Sequence, residues 1–357
     1  MKNFIEQLKV IDLSSVLAGP SVGMFFAEMG ADVIKIEHPI HKDVTRSWKL
    51  ANEDKESNVS AYFSAINYKK KYQALNLKSS DDVNNLKALI KEADLLLMNF
   101  KKGDQEKFGI TDDVLQSLNP KLIIGKINGY GSESDRVAYD LILQAESGFM
   151  SMNGKPNSGP IKMPVALIDV LAGHQLKEGL LNALLNRTIT QKGSVVTVSL
   201  YETAVASLMN QASNYLMNDH IPQRIGSLHP NIAPYGEIFT TKDQKDLTFA
   251  IGNDNQFQKL CAFLGLEKLP LDEKFSNNVN RIAHRKELAT ILAEKVSCVD
   301  SADVMDYCLS QNIPAGIIRN LKEVFENPLA QEMIREEEIE GKLTRRVSSI
   351  SFKTKES

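Results

Sequence analysis

The sequence predicts an α/β fold in which a large Rossmann-like domain, built on a parallel sheet, is accompanied by a smaller α+β domain. Three observations carry this. Short runs rich in Val, Ile and Leu alternate with stretches of helical periodicity over the first 200 residues, the pattern of strand–helix–strand units around a parallel sheet. A loop-rich segment punctuated by Pro and Gly at 219–234 interrupts that alternation, and a strand pair with helices follows it. A chain of 357 residues is long enough for both parts.

The elements follow in order. Residues 8–13 read as a buried strand, with a turn at Ala18-Gly19-Pro20 and an apolar helix through Met24, Phe25, Phe26 and Ala27 that stops at Gly30. The next strand is 32–37. A strand over 74–77 leads into a helix over 80–93 and a strand over 94–98, and a short helix over 112–118 precedes a strand over 121–127. Helical stretches at 140–152 and 168–188 lead to a strand at 195–200 and a long helix over 201–217. Strands at 236–240 and 247–251 pair around Asp243-Gln244-Lys245, and helices follow over 256–265, 285–295 and 301–311. The tail from Pro328 is charged, with one strand over 347–352. The large domain is therefore expected over 1–200, completed by 328–357. Residues 201–234 are read as a linker, 235–312 as the small domain and 313–327 as a return linker.

Composition removes several function classes. A net charge of −3 gives no electrostatic basis for binding nucleic acid or an anionic membrane surface. Lys69-Lys70-Lys71 and Lys101-Lys102 are short clusters of the kind that mark a solvated face. The three cysteines, Cys261, Cys298 and Cys308, match no zinc or redox spacing, and the six histidines form no cluster, so no metal is expected. The N-terminal residues lack the apolar core of a signal peptide and no run reaches transmembrane length, which predicts a cytoplasmic protein.

Ligands of open parallel sheets sit beyond the carboxyl ends of the strands, here 14–19, 37–41, 99–103 and 128–131. The first turn is not Gly-x-Gly-x-x-Gly, so a nicotinamide or flavin dinucleotide has no support. Between Pro164 and Gly173 one carboxylate, Asp169, stands in an otherwise apolar run at the start of a helix. Such a charge is costly unless paired or hydrogen-bonded. It is read either as a helix N-cap or as a partly desolvated nucleophile for covalent chemistry at an acyl group.

Four stretches stand in order: 8–20 (LKVIDLSSVLAGP), 30–39 (GADVIKIEHP), Asn99-Phe100 with Gly103 and Phe108-Gly109, and Asn128-Gly129-Tyr130-Gly131 with Ala138-Tyr139-Asp140-Leu141. Taken together they resemble the class III coenzyme A transferases, the formyl-CoA and carnitine CoA-transferase family. Asp169 with Ala172-Gly173 falls where the family carries its catalytic aspartate. The resemblance covers about Leu8 to about Phe352. It implies an enzyme that moves coenzyme A from an acyl-CoA to a carboxylic acid acceptor through an aspartyl mixed anhydride and an aspartyl-CoA thioester, with no permanently bound cofactor. It implies that Val16, Leu17, Ala18, His38, Lys78, Asn99, Phe100, Lys107 and Arg136 bind coenzyme A, and that Tyr139 and Asp140 line the acyl pocket. His38 stands where relatives often place an arginine, a contact that Lys42 or Arg46 would then supply. The family's glycine-rich loop has no counterpart in Gly226-Ser227-Leu228-His229-Pro230-Asn231. The resemblance also implies a homodimer of interlocked rings. Two other readings stay open: an α-methylacyl-CoA racemase, against which Tyr139 stands where that enzyme needs a histidine base, and a non-catalytic CoA-binding paralogue.

Overall fold

The computed structural model describes residues 3–355. One compact unit holds the described residues of 1–151, 162–222 and 331–357, and a second holds 152–161 and 223–330. The first is built on a six-stranded, all-parallel sheet of β1 (Lys9–Asp12), β2 (Asp32–Glu37), β3 (Lys71–Ala74), β4 (Leu95–Met98), β5 (Ile123–Asn128) and β6 (Ser194–Ser199). Their order is β3-β2-β1-β4-β5-β6. This doubly wound order reverses direction between β1 and β4, and the crevice at that point is where such sheets bind ligands.

The helices of this unit are α1 (Ala18–Glu28), α2 (Ala61–Ser64), α3 (Ser80–Lys91), α4 (Asp104–Phe108), α5 (Asp112–Leu118), α6 (Asp140–Glu146), α7 (Phe149–Met152), α8 (Leu167–Thr190), α9 (Leu200–Ala206) and α10 (Met209–Asn218). Alternate strand residues serve opposite faces. Val10, Leu95, Leu97 and Ile123 meet Val22 and Phe26 of α1 and Ala172, Leu176 and Leu180 of α8. Ile11, Leu96 and Ile124 meet Leu86 and Ile90 of α3 and Leu115 of α5. Burial on both faces explains why Leu95-Leu96-Leu97-Met98 is apolar throughout. No helix among the described residues is long and apolar enough to cross a membrane.

The second unit carries an antiparallel sheet of β7 (Tyr235–Thr240), β8 (Asp246–Ala250) and β9 (Ala315–Ile317). Helices α11 (Asp254–Phe263), α12 (Asn278–Ala283), α13 (Arg285–Val296) and α14 (Ser301–Ser310) cover it, with Phe239, Phe249, Phe257, Leu260, Leu292 and Val304 at the centre. The chain returns through α15 (Leu321–Val324) and α16 (Pro328–Glu332) to a hairpin of β10 (Ile334–Ile339) and β11 (Lys342–Val347).

Several element expectations change. Ala18-Gly19-Pro20 is the first turn of α1, not a separate turn, because the missing proline N–H is not needed there. The helix expected over 140–152 is broken at Gly148, and that over 201–217 at 207–208. Residues 201–222, read as linker, form most of α9 and all of α10 and cluster with the first unit, while β9 lies in the segment read as the return linker. The tail strand over 347–352 is replaced by the β10–β11 hairpin. Its charges pair across the register, Glu336 with Arg345 at 2.7 Å, and its turn residues Glu340 and Gly341 both take positive φ, as primed hairpin turns require.

The strand expected at 74–77 lies at 71–74, and of the lysine cluster at its start Lys69 and Lys71 are exposed as expected while Lys70 is not. Lys70 is fully buried, its Nζ 2.8 Å from Asp12 Oδ2 and donating also to the Pro20 carbonyl and Asn67 Oδ1. Burial pulls Lys70 down to about 8. Burial alone would raise Asp12, but the charges of Lys70 and Lys35 outweigh it and hold that carboxyl below its usual range. Lys70→Met is expected to strand the Asp12 charge and cost about 3–5 kcal/mol in urea unfolding. The Asp12→Asn/Lys70→Met double variant should recover part of that loss.

Candidate active site

At the switch point the loop after β1 is tied residue by residue. Ser14 donates from both N and Oγ to Asp12 Oδ1, and its carbonyl accepts from Lys35 Nζ at 2.8 Å. Ser15 N donates to Asn99 Oδ1 at 3.0 Å while Asn99 Nδ2 donates to the Ser15 carbonyl at 2.8 Å. Val16 follows with φ of 73°, a left-handed value uncommon for any side chain and an outlier for a β-branched one. Beyond it, the N–H groups of Val16, Leu17 and Ala18 find no acceptor among the described residues. They stand at the N-terminus of α1, where the helix dipole favours negative charge.

Asp169 faces this loop across a cavity of about 510 Å³ lined by Ser15, Val16, Leu17, Ala18, Asn99, Phe100, Arg136, Tyr139 and Asp169. It is the third residue of α8 and not its N-cap: Ala166 holds that position without a side-chain bond. The capping is done from another element, by Asp140 Oδ1, which accepts from Ile168 N at 2.8 Å. Asp169 is 8% exposed and accepts no hydrogen bond from any described residue. Burial, and then the charge of Asp140, push its carboxyl up to about 7.

Gly173 explains how α8 reaches the loop. A Cβ at that position would lie 2.6 Å from Ser21 Oγ and 3.3 Å from the Ala18 carbonyl, so only a glycine lets α8 pack this close to the start of α1. Asp169 is one turn earlier on the same helical face, which places it beside Val16–Ala18.

The remaining expected residues divide. Tyr139 is half exposed at the cavity wall. Asp140 is buried behind that wall rather than in it, its other oxygen accepting from Gln144 Nε2 at 2.6 Å. Arg136 reaches the cavity with its guanidinium 4.3 Å from the Tyr130 ring and paired with Glu146. His38 and Lys78 line a neighbouring cavity of about 230 Å³ together with Lys42, Leu77 and Phe108, and Ser15 and Phe100 border both cavities. Lys107 borders neither; its ammonium lies 5.9 Å from the Phe108 ring on the exposed side of α4. Arg46 cannot stand in for an arginine at 38, because it is buried on Glu37 with bonds of 2.8 and 2.6 Å. Lys42 does reach that cavity.

Sequence reasoning missed Lys126 and Tyr62. Lys126 lines the main cavity and binds Gln105 and Asp112, each at 2.7 Å; a lone lysine within Ile123-Ile124-Gly125-Lys126-Ile127 was its available signal. The Tyr62 phenol is held up to about 12 by burial and then by the charges of Asp169 and Asp140. It stacks edge-on with Trp48 at 5.0 Å, and nothing in its local sequence marks it.

The doubly wound sheet sets a buried carboxylate and unpaired N–H groups on one cavity, and comparison with known proteins supplies the class of protein. The model of CoA-transferase family III matches residues 5–355, and the chain belongs to that family. It is a class III acyl-CoA:carboxylate CoA-transferase. It is similar to a succinate–glutarate CoA-transferase of Agrobacterium fabrum, 36% identical over 92% of this chain and 83% of that one. An acetyl-CoA:oxalate CoA-transferase of Acetobacter aceti is 32% identical over 92% of this chain and 84% of its own length. Among solved structures, a CAIB/BAIF family protein from Brucella suis superposes with a TM-score of 0.85 and 33% identity, covering 99% of this chain and 93% of that one.

The raised Asp169 carboxyl has a signed consequence for stability. The folded protein holds this proton up to about pH 7 whereas the unfolded chain releases it near pH 4, so stability is lost as pH rises between them. Asp169→Asn should therefore stabilise the protein more at pH 8 than at pH 5, by about 2–3 kcal/mol in paired denaturant titrations.

Proposed function

We propose that coenzyme A transfer runs through Asp169. An Asp169 oxygen attacks the thioester carbonyl of the donor, the C–S bond breaks, and coenzyme A leaves as thiolate, giving a mixed anhydride. The thiolate attacks the aspartyl carbonyl and releases the donor acid, leaving an aspartyl-CoA thioester. The acceptor carboxylate attacks that carbonyl, forming a second anhydride and freeing the thiolate, which attacks the acceptor's acyl carbon. A new acyl-CoA leaves and the Asp169 carboxylate is restored. Every step exchanges one acyl–heteroatom bond for another, so no net proton transfer is required. The N–H groups of Val16, Leu17 and Ala18 receive the negative charge that develops on the attacked oxygen.

The observation that carries this reading is a buried carboxylate without a hydrogen-bond partner facing unpaired N–H groups across one cavity. Coenzyme A lies along the two adjoining cavities, its thioester at Asp169 and its nucleotide toward His38, Lys42 and Lys78. The acids exchanged are short dicarboxylic acids, a reading supported by the names of the relatives above. The working form is an interlocked homodimer with a large domain over 1–200 and 328–357 and a small domain over 235–312. Exposed Met209, Tyr215, Leu216 and Met217 on α10 favour a covered surface there.

Incubation with succinyl-CoA or glutaryl-CoA and hydroxylamine should give an Asp169 hydroxamate by mass spectrometry, absent in Asp169→Ala. Adduct formation by the free enzyme should rise with pH through about 7 as the carboxyl ionises. Tight CoA binding without any adduct, together with solvent deuterium entering the substrate, would sink the transferase mechanism in favour of proton transfer. Light scattering should return twice the chain mass.

A further inference from the structure

We propose that Asn99 is a positioning residue for the transfer reaction: it clamps Ser15, and the clamp holds Val16 in the left-handed conformation that offers the N–H groups of Val16–Ala18 to the acyl oxygen. The proposal rests on the Asp169 reading above and extends it to a residue on the opposite side of the switch point.

β1 and β4 stop pairing through their backbones at the bond from Leu13 N to the Leu97 carbonyl, 2.8 Å long. Two residues further on, the Asn99 amide takes over. It meets both the N–H and the C=O of Ser15 and so adds one side-chain rung to the ladder after the strands have separated. Ser14 is tied by Asp12 and Lys35, leaving Val16 as the first residue of the loop without such ties. Its φ of 73° costs about 1–3 kcal/mol and persists only where the surroundings over-determine it.

Remove the clamp and Val16 relaxes to negative φ, turning the peptide groups that follow it. Asn99 borders the cavity, and the family resemblance assigns it to coenzyme A. Its Oδ1 and one Nδ2–H are both engaged by one backbone residue, however, and the action proposed here passes through Ser15. The role differs from binding in what it controls: the rate of acyl transfer to Asp169, not the affinity for coenzyme A.

The test is single-turnover adduct formation with succinyl-CoA, beside the Kd of free coenzyme A measured by calorimetry. Asn99→Ala should slow adduct formation about 100-fold while the Kd changes less than about threefold. Asn99→Asp keeps the acceptor for Ser15 N and loses the donor to the Ser15 carbonyl; it should show the same split with a smaller loss, and it decides the matter if Asn99→Ala does not fold. Glycine adopts positive φ without strain, so adding Val16→Gly to Asn99→Ala should restore about tenfold of the lost rate. An unchanged adduct rate, a Kd that weakens in step with kcat/KM, or no recovery from Val16→Gly overturns the proposal. Wild-type protein that forms no adduct at all overturns the Asp169 reading as well, whereas a wild-type adduct with unaffected variants overturns the clamp alone.

Discussion

The buried ion pair between Asp12 and Lys70 is the constraint on which the active-site end of the sheet depends. It lies where β1 ends, α1 begins and the chain approaches β3, and Lys70 touches all three through Asp12, the Pro20 carbonyl and Asn67. A buried charge pair is rarely a large net source of stability, because desolvation offsets most of the attraction. Its value here is geometric. Asp12 can accept from Ser14 at a set angle only because its other oxygen is held by an ammonium group. Gly23 keeps α1 against the pair, since a Cβ there would lie 2.7 Å from Asp12 Oδ2.

Seen against that network, the bareness of Asp169 is a difference in kind. Glu37 is held by Arg46, Glu28 by Arg346 and Ser349, and Asp140 by Ile168 N and Gln144. Asp169 receives no such partner among the described residues, and the charge of Asp140 aggravates its position. Among the described residues, Glu37, Glu28 and Asp140 are thus held by partners outside their own elements, whereas Asp169, at the cavity, is not. A carboxylate deprived of water and donors is a better nucleophile than a solvated one, and in the proposed mechanism Asp169 would hold that gain at the expense of folding stability.

Much of this architecture was legible in the sequence. The apolar strands 32–37 and 94–98, and the helix 112–118 with its acidic first turn, read correctly because local periodicity and burial agree there. The motif around Asp169 pointed to a residue that the fold buries at the edge of the main cavity, and α8 shows that it is not the helix cap. What failed to read was whatever depends on remote partners. Lys70 looks solvated until Asp12 is seen opposite it, and Arg46 looks available until Glu37 is found beneath it. The tail of alternating charge conceals a hairpin because its glutamates and arginines neutralise each other across strands. The resemblance put Asp140 in the acyl pocket, a placement local sequence could not check; its carboxylate serves a helix 28 residues further along the chain.

The β10–β11 hairpin sets the order in which the protein can be completed. Glu337 accepts from Lys69 N, Lys342 donates to the Val59 carbonyl, and Arg346 pairs with Glu28, each contact closing a loop of more than 260 residues. All of the second unit is synthesised before these groups emerge from the ribosome. Until then the segment after β2, the Tyr68–Lys69 bend and the end of α1 lack part of their packing. The first unit is therefore the first to begin folding and the last to finish, its closing contacts among the slowest that chain topology allows.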